Sequence, residues 1–212
     1  MWRMEDVLEQ YALPYDPKRP LVCVDERPCQ LLSDSRAALP MQAGQPTRYD
    51  YEYVRQGMCN LFMVFEPLTG WRGTTVTAHR KQEDFAYLMR DVVDIHFPQA
   101  DLICVVLDNL NIHSPASLYA TFEPAEARRI LHKLEFHHTP KHGSWLNMVE
   151  IELSVLVRQC LGQRIPHMAA LQRQVSAWQE PRNAQRATVH WQFSLENART
   201  KLSRLYPSLP LR

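Results

Sequence analysis

Three acidic residues in this chain stand at the ends of apolar runs. Asp25 falls near the end of LVCVDE (21–26), Asp108 near the end of DLICVVLDN (101–109), and Glu150 within HTPKHGSWLNMVEIELSVLVRQCL (138–161). The first two runs are apolar, rich in β-branched residues and too short for helices, so they are predicted as buried strands. Glu150 is predicted on a helix that follows a strand. The carboxyl ends of strands are where α/β sheets place their chemistry. Three carboxylates gathered there would repel one another unless cations lay between them. The chemistry that fits is metal-dependent phosphoryl transfer.

Neighbouring side chains bear on the same site. Glu150 and Glu152 are two residues apart, so on a helix they diverge by about 200 degrees and cannot both enter one cluster. Leu146, Val149, Leu153 and Val157 are predicted as the buried stripe, with Asn147, Glu150, Ser154 and Arg158 as a polar edge that favours Glu150. Glu26 would point to the opposite face from Asp25, in a supporting or structural role. Asn109 and His113 would either position a substrate, hold Asp108 by a hydrogen bond, or cap the segment that leaves the strand. Arg27, Arg48, Arg55, Arg72, Arg80, Lys81, Lys141 and His142 lie near predicted strand ends or loops, where they could grip phosphates or simply be solvated surface. Trp145 could stack on an unpaired base or belong to the core. Nine histidines invite a zinc reading. His137, His138 and His142 are nearest the site, but their spacing matches no standard zinc set, and an all-carboxylate cluster prefers magnesium or manganese.

The elements that must position these residues follow one order. After strand 21–26 and a Pro-, Gly- and Ser-containing connection come CNLFMVFEP (59–67) and WRGTTVTAHR (71–80), joined around Gly70 as in a hairpin. In KQEDFAYLMRDVVDIHF (81–97), Phe85, Leu88, Met89 and Val92 recur at helical spacing, so one face is built for burial. Strand 101–109, a loop over 111–123, a short helix over 124–134, the strand LEFHHTP and the Glu150 helix follow. HMAALQRQVSAWQEPRNAQ (167–185) and SLENARTKLSRLY (194–206) read as amphipathic helices, with Trp178 and Trp191 as packing residues. The fold class is α/β. Three stretches are expected: 1–20, a helix and a Pro-containing linker; 21–165, the catalytic domain; and 166–212, a helical C-terminal extension.

Composition agrees with a small globular enzyme: of 212 residues, 45% are hydrophobic and 22% charged. No apolar run approaches the roughly 18 residues of a membrane span, and MWRMEDVLEQ is not a secretory signal, so a cytoplasmic address is expected. The five cysteines are an odd number without CxxC spacing and read as free, mostly buried thiols. Twenty-four Lys and Arg against 23 Asp and Glu give a net charge of +1, which is low for an autonomous DNA-binding protein.

The ordered set of VDE with Asp25, DNxxxH from Asp108 to His113, and SWLNMVE with Glu150 resembles the three-carboxylate signature of mariner-like cut-and-paste DNA transposases, in their bacterial insertion-sequence branch. The resemblance extends through RYDYEYVRQGMCNLFMVFEP (48–67) and VHWQFSLENARTKLSRLYP (189–207). It implies a ribonuclease H-like, retroviral integrase-like mixed sheet flanked by helices. It also implies metal-dependent cleavage of transposon ends and strand transfer into target DNA, typically at TA. Asp25 would bridge two magnesium or manganese ions, with Asp108 and Glu150 each holding one. Arg48, Lys141, His142, Trp145 and Asn147 would contact DNA, and the active complex would be a homodimer. Such relatives carry an N-terminal helix-turn-helix region, and residues 1–20 hold one short helix with Pro14, Pro17 and Pro20, so the chain is expected to be the catalytic half. Two alternatives stay open: a catalytically idle remnant that binds DNA or a partner, and a ribonuclease H-like nuclease with another nucleic-acid substrate.

Overall fold

The computed structural model describes residues 1–206; residues 207–212 of the expected C-terminal extension lie outside it. Its framework is five strands: β1 (Leu21–Asp34), β2 (Tyr53–Glu66), β3 (Trp71–Thr77), β4 (Ile103–Leu107) and β5 (Leu134–His138). They form one mixed sheet in the order β3-β2-β1-β4-β5. The first three are antiparallel and continuous in sequence, whereas β4 and β5 join parallel to β1 and to each other. β4 is buried along its whole length, as its unbroken apolar run requires of a strand covered on both faces. Among the described residues no helix is long and apolar enough to cross a membrane.

Among the described residues the α-helices are α1 (Trp2–Ala12), α2 (Gln82–Asp91), α3 (Pro115–Thr121), α4 (Pro124–Leu131), α5 (Val149–Gln159), α6 (Met168–Ala184) and α7 (Leu195–Lys201). They divide between the two faces of the sheet. On one face Val22, Val24, Phe62, Val64, Ile103, Val105 and Leu107 meet the apolar sides of α2, α3 and α4. On the other Cys23, Leu61, Met63, Phe65 and Val106 meet α1, α5, α6 and α7. The alternation within β1 and β2 therefore feeds two cores from single strands. Met4, Val7 and Leu8 of the first stretch and Leu171, Val175 and Ala198 of the last share the core of the middle one. The stretches 1–20 and 166–206 are thus built into the sheet's packing rather than appended to it.

Several elements differ from the expectations. β1 runs on to Asp34 and pairs with β2 as a long arm; the mixed segment after Glu26 hides a strand whose outer half buries Leu31 and leaves Arg27, Pro28, Gln30 and Asp34 exposed. The helix expected over 81–97 is α-helical only to Asp91 and finishes in a π turn, Val92–His96. The expected loop 111–123 contains α3, which Pro115 at its first turn helps to start. Gly70 has φ 72°, and a Cβ there would come within 2.5 Å of the Arg186 backbone, so the β2–β3 turn requires glycine for both conformation and space.

A buried ion pair fastens α5 and α6 to β3. Arg72 is fully enclosed, its Nε 2.9 Å from Glu152 Oε1, and it donates to Asn183 Oδ1 at 3.1 Å and to the Ala187 carbonyl at 2.8 Å. Arg182 donates to both oxygens of Glu152, at 2.6 and 3.1 Å. Arg72 is therefore a structural cation and cannot grip phosphate. Removing one partner of a buried pair strands the other charge. Glu152→Ala should lower the unfolding free energy by about 3–5 kcal/mol in denaturant titrations; a cost below about 1 kcal/mol would show that the network does not anchor α6.

Candidate active site

Strand register brings the two aspartates together. β1 and β4 pair with Leu21 beside Cys104 and Cys23 beside Val106; Asp25 follows two residues after Cys23, and Asp108 two residues after Val106, just past the end of β4. Because side chains alternate within β1, Asp25 points toward the face that holds Cys23. The same face receives α5. Its buried stripe is Val149, Glu152, Leu153 and Leu156, which leaves Glu150 exposed on the side toward β1. Asp25, Asp108 and Glu150 line one open cleft with Glu26, Arg27, Arg80, Ser144, Ser154 and Arg158.

The structure brings those three carboxylates together and takes Glu152 away from them. Glu152 was expected off the site by angle alone; its buried place in the stripe is made possible by Arg72 and Arg182. Val157, expected in the stripe, is half-buried and borders the cleft instead.

Asn147 corrects an expectation. It is completely buried, and its Nδ2 donates to the Val24 carbonyl at 2.9 Å. Its side chain cannot reach DNA; it pins the start of α5 to β1 beside Asp25 and so sets where Glu150 emerges. The other four expected DNA contacts, Arg48, Lys141, His142 and Trp145, are exposed. Lys141, His142 and Trp145 belong to the loop and 3-10 turn before α5, and Arg48 to the connection between β1 and β2. Trp145 is 49% exposed and stacks on Trp191 with ring centroids 6.3 Å apart. Arg27, Arg80 and Arg158 are the cations that border the cleft itself.

Electrostatics differ sharply between the two aspartates. Burial, reinforced by repulsion from Glu26, Asp108 and Glu150, pushes Asp25 up to about 7, despite a 2.8 Å hydrogen bond from the Glu26 amide. Asp108 moves the other way, chiefly because His113 Nδ1 lies 2.7 Å from its Oδ1, with the Leu110 amide donating to the same oxygen at 2.9 Å. His113 is itself fully enclosed. Burial would lower its pKa, but Asp108 on one side and Glu26 on the other outweigh burial and raise it to about 9. Its Nε2 is 3.1 Å from Glu26 Oε2, in ion-pair contact without hydrogen-bond alignment, and Arg80 closes on Glu26 Oε1 at 3.3 Å. His113 thus holds Asp108 and links it to Glu26, one of the roles left open for it. Asn109 is a tie within the scaffold: its amide donates to the Thr139 carbonyl and its oxygen accepts from Arg3.

A family model described as DDE superfamily endonuclease matches residues 20–172, a span that contains all three carboxylates. The chain belongs to the DDE superfamily endonuclease family. Its fold is that of the ribonuclease H-like catalytic domain of mariner transposases. The chain is similar to the Mos1 mariner paired end complex with Mn, with 15% identity and TM-score 0.56, over 87% of this chain and 56% of that one. It is similar to the Mos1 strand transfer complex, with 13% identity and TM-score 0.55, over 85% and 53%. No curated protein matches it by sequence. This DDE endonuclease chain spans about half the length of the Mos1 chains it matches.

A carboxyl group whose folded pKa lies above its unfolded value stabilises the fold at low pH and loses that contribution as pH rises from the unfolded toward the folded value. For Asp25 the window runs from the ordinary carboxyl value of 3.8 to about 7. In chelator, Asp25→Asn should match the native chain in melting temperature near pH 4 and exceed it at pH 8. Equal melting temperatures at pH 8 would mean that Asp25 is not held against its neighbours' charge.

Proposed function

We propose that this chain is the catalytic domain of a DNA transposase, with Asp25, Asp108 and Glu150 as ligands for two magnesium or manganese ions. The observation that carries the reading is the meeting of the three carboxylates in one cleft, one of them raised toward neutrality by burial and further by the charge of its neighbours. The donor set fits hard divalent cations, since it is all oxygen and its mutual repulsion is what such cations offset. Ions held there would activate an attacking water or 3′-hydroxyl and stabilise the leaving oxygen.

The chain's own groups set the conditions for that chemistry. His113 keeps Asp108 ionised, and the Asn147 tie fixes the distance of Glu150 from β1. Arg27, Arg80 and Arg158 border the carboxylates, where they offset the charge of an entering phosphodiester and orient its backbone. Lys141, His142, Trp145 and Arg48 extend the DNA surface beyond the cleft. Substrates are transposon ends and target DNA, handled by a homodimer.

The test is nicking of supercoiled plasmid by the purified chain in magnesium or manganese, in parallel with an RNA–DNA hybrid. The chain should nick DNA weakly and without sequence preference, and Asp108→Ala should abolish nicking because nothing else replaces the lost ligand. Unchanged cleavage by Asp108→Ala would place the activity elsewhere. Cleavage confined to the RNA strand of the hybrid would make the chain a nuclease of a different substrate class.

A further inference from the structure

A second group of ligand-type side chains lies away from the carboxylate cleft, where β4 meets β5. Cys104 is paired in register with Glu135, and His137 follows two residues after Glu135, so all three project from one face of the sheet. One ligand atom from each lies within 4.8 Å of the others. Cys104 Sγ is 3.5 Å from Glu135 Oε2, and His137 Nε2 is 3.8 Å from the same oxygen.

His137 is the telling member. It is 5% exposed, and its Nδ1 lies 2.9 Å from Asp6 Oδ2 on α1. A carboxylate accepts, so Nδ1 carries a proton, and in the neutral ring Nε2 presents a lone pair. That Nε2 is buried and has no hydrogen-bond partner, an arrangement that costs stability unless something binds there. It faces Glu135 and Cys104. A carboxylate behind an imidazole whose other nitrogen is free is also the arrangement that orients metal-bound histidines.

We propose that Cys104, Glu135 and His137 form a binding site for one borderline-soft divalent cation of the zinc class, with Asp6 as a positioning residue for His137. Sulfur, imidazole nitrogen and a single carboxylate oxygen select zinc over magnesium. Zinc bond lengths of about 2.0–2.3 Å in a tetrahedron set ligand atoms roughly 3.3–3.6 Å apart, so the group needs only to contract slightly. Water takes the fourth position. Two existing interactions give way. Arg19 releases Glu135 Oε2, which it holds at 2.7 Å in a pair whose side chains are 36% and 39% exposed and which therefore contributes little. The Cys104 thiol, pushed up to about 11 chiefly by burial, gives its proton to solvent as the sulfur–metal bond forms. Arg19 and Cys104 both line a surface cleft of about 210 Å³, which supplies the entry path. Through Asp6 the ion fastens α1 to the parallel edge of the sheet. The spacing of His137, His138 and His142 gave no zinc set because His137 joins Glu135 of its own strand and Cys104 of the neighbouring one, and no second histidine.

The experiment is titration of the chelator-stripped chain with cobalt(II), followed by its displacement with zinc. One equivalent should give tetrahedral visible bands and a near-ultraviolet thiolate-to-cobalt band, both removed by zinc. Cys104→Ala should abolish the thiolate band, and Asp6→Asn should weaken binding about 10–100-fold. Glu135→Gln, at a partly exposed position that tolerates substitution, should also weaken binding and keeps the test decisive if Cys104→Ala does not fold. Asp25→Asn should leave the bands unchanged, so this outcome stands whether or not the carboxylate cleft is an active site. Spectra without a thiolate band, a thiolate band that survives Cys104→Ala, or cobalt affinity unchanged by Glu135→Gln overturns the proposal.

Discussion

The repulsion gathered around Asp25 is the constraint on which the rest of the structure turns. A carboxylate on a buried strand, beside a second aspartate in register and a glutamate on the overlying helix, cannot relax by moving away. β1 is bounded by β2 and β4, and α5 is held at its start by the Asn147 hydrogen bond to Val24. The charge is therefore met by protonation, toward which burial first and the neighbouring carboxylates second push Asp25, or by a cation. The scaffold treats the two aspartates differently. Asp108 is compensated by His113, whereas Asp25 has only the Glu26 amide. The position with the least compensation is the one where a bound cation lowers the energy most.

Around that constraint the supports come from distant parts of the chain. α1 contributes three: Arg3 reaches Asn109 just after Asp108, Asp6 holds His137 on β5, and the Tyr11 hydroxyl donates to the Leu146 carbonyl at 2.7 Å where α5 begins. At the opposite edge Arg72 carries the packing of α5 through β3 to α6. The elements that bear Asp108 and Glu150 are each tied from outside the sheet, so the cleft stays open without its walls being loose.

The parts legible in the sequence were those whose physics is local. LVCVD and LICVVLD read as strands because a strand buried on both faces is an unbroken apolar run. Glu150 was separable from Glu152 because a helix sends residues two apart in nearly opposite directions. The outer half of β1 was not legible, since Arg27–Asp34 pairs with β2 but buries only Leu31 and so lacks a regular apolar alternation. α3 was too short to show a period. Asn147 was misread as a surface residue: a polar side chain between Leu146 and Met148 shows no sign that its partner is a backbone carbonyl on β1. The burial of Glu152 was equally hidden, because it depends on Arg72 and Arg182 from separate elements. His113 was recognisable as a support for Asp108 by its nearness in sequence, yet its link to Glu26 was not. Cys104, brought beside Glu135 and His137 by strand register alone, left no trace in spacing.

The central claim is that Asp25, Asp108 and Glu150 act together as one cation site, and manganese titration calorimetry in two buffers of different ionisation enthalpy tests it most directly. Cys104→Ala serves as the background, so that binding at the β4–β5 edge does not contribute. At pH 6 the account predicts binding with proton release, because manganese must displace the proton that Asp25 holds there. It predicts that Asp25→Asn, Asp108→Asn and Glu150→Gln each weaken binding by at least about tenfold, and that Asp25→Asn also removes the proton release. Binding that is unchanged in all three variants, or no binding at millimolar manganese, would contradict it.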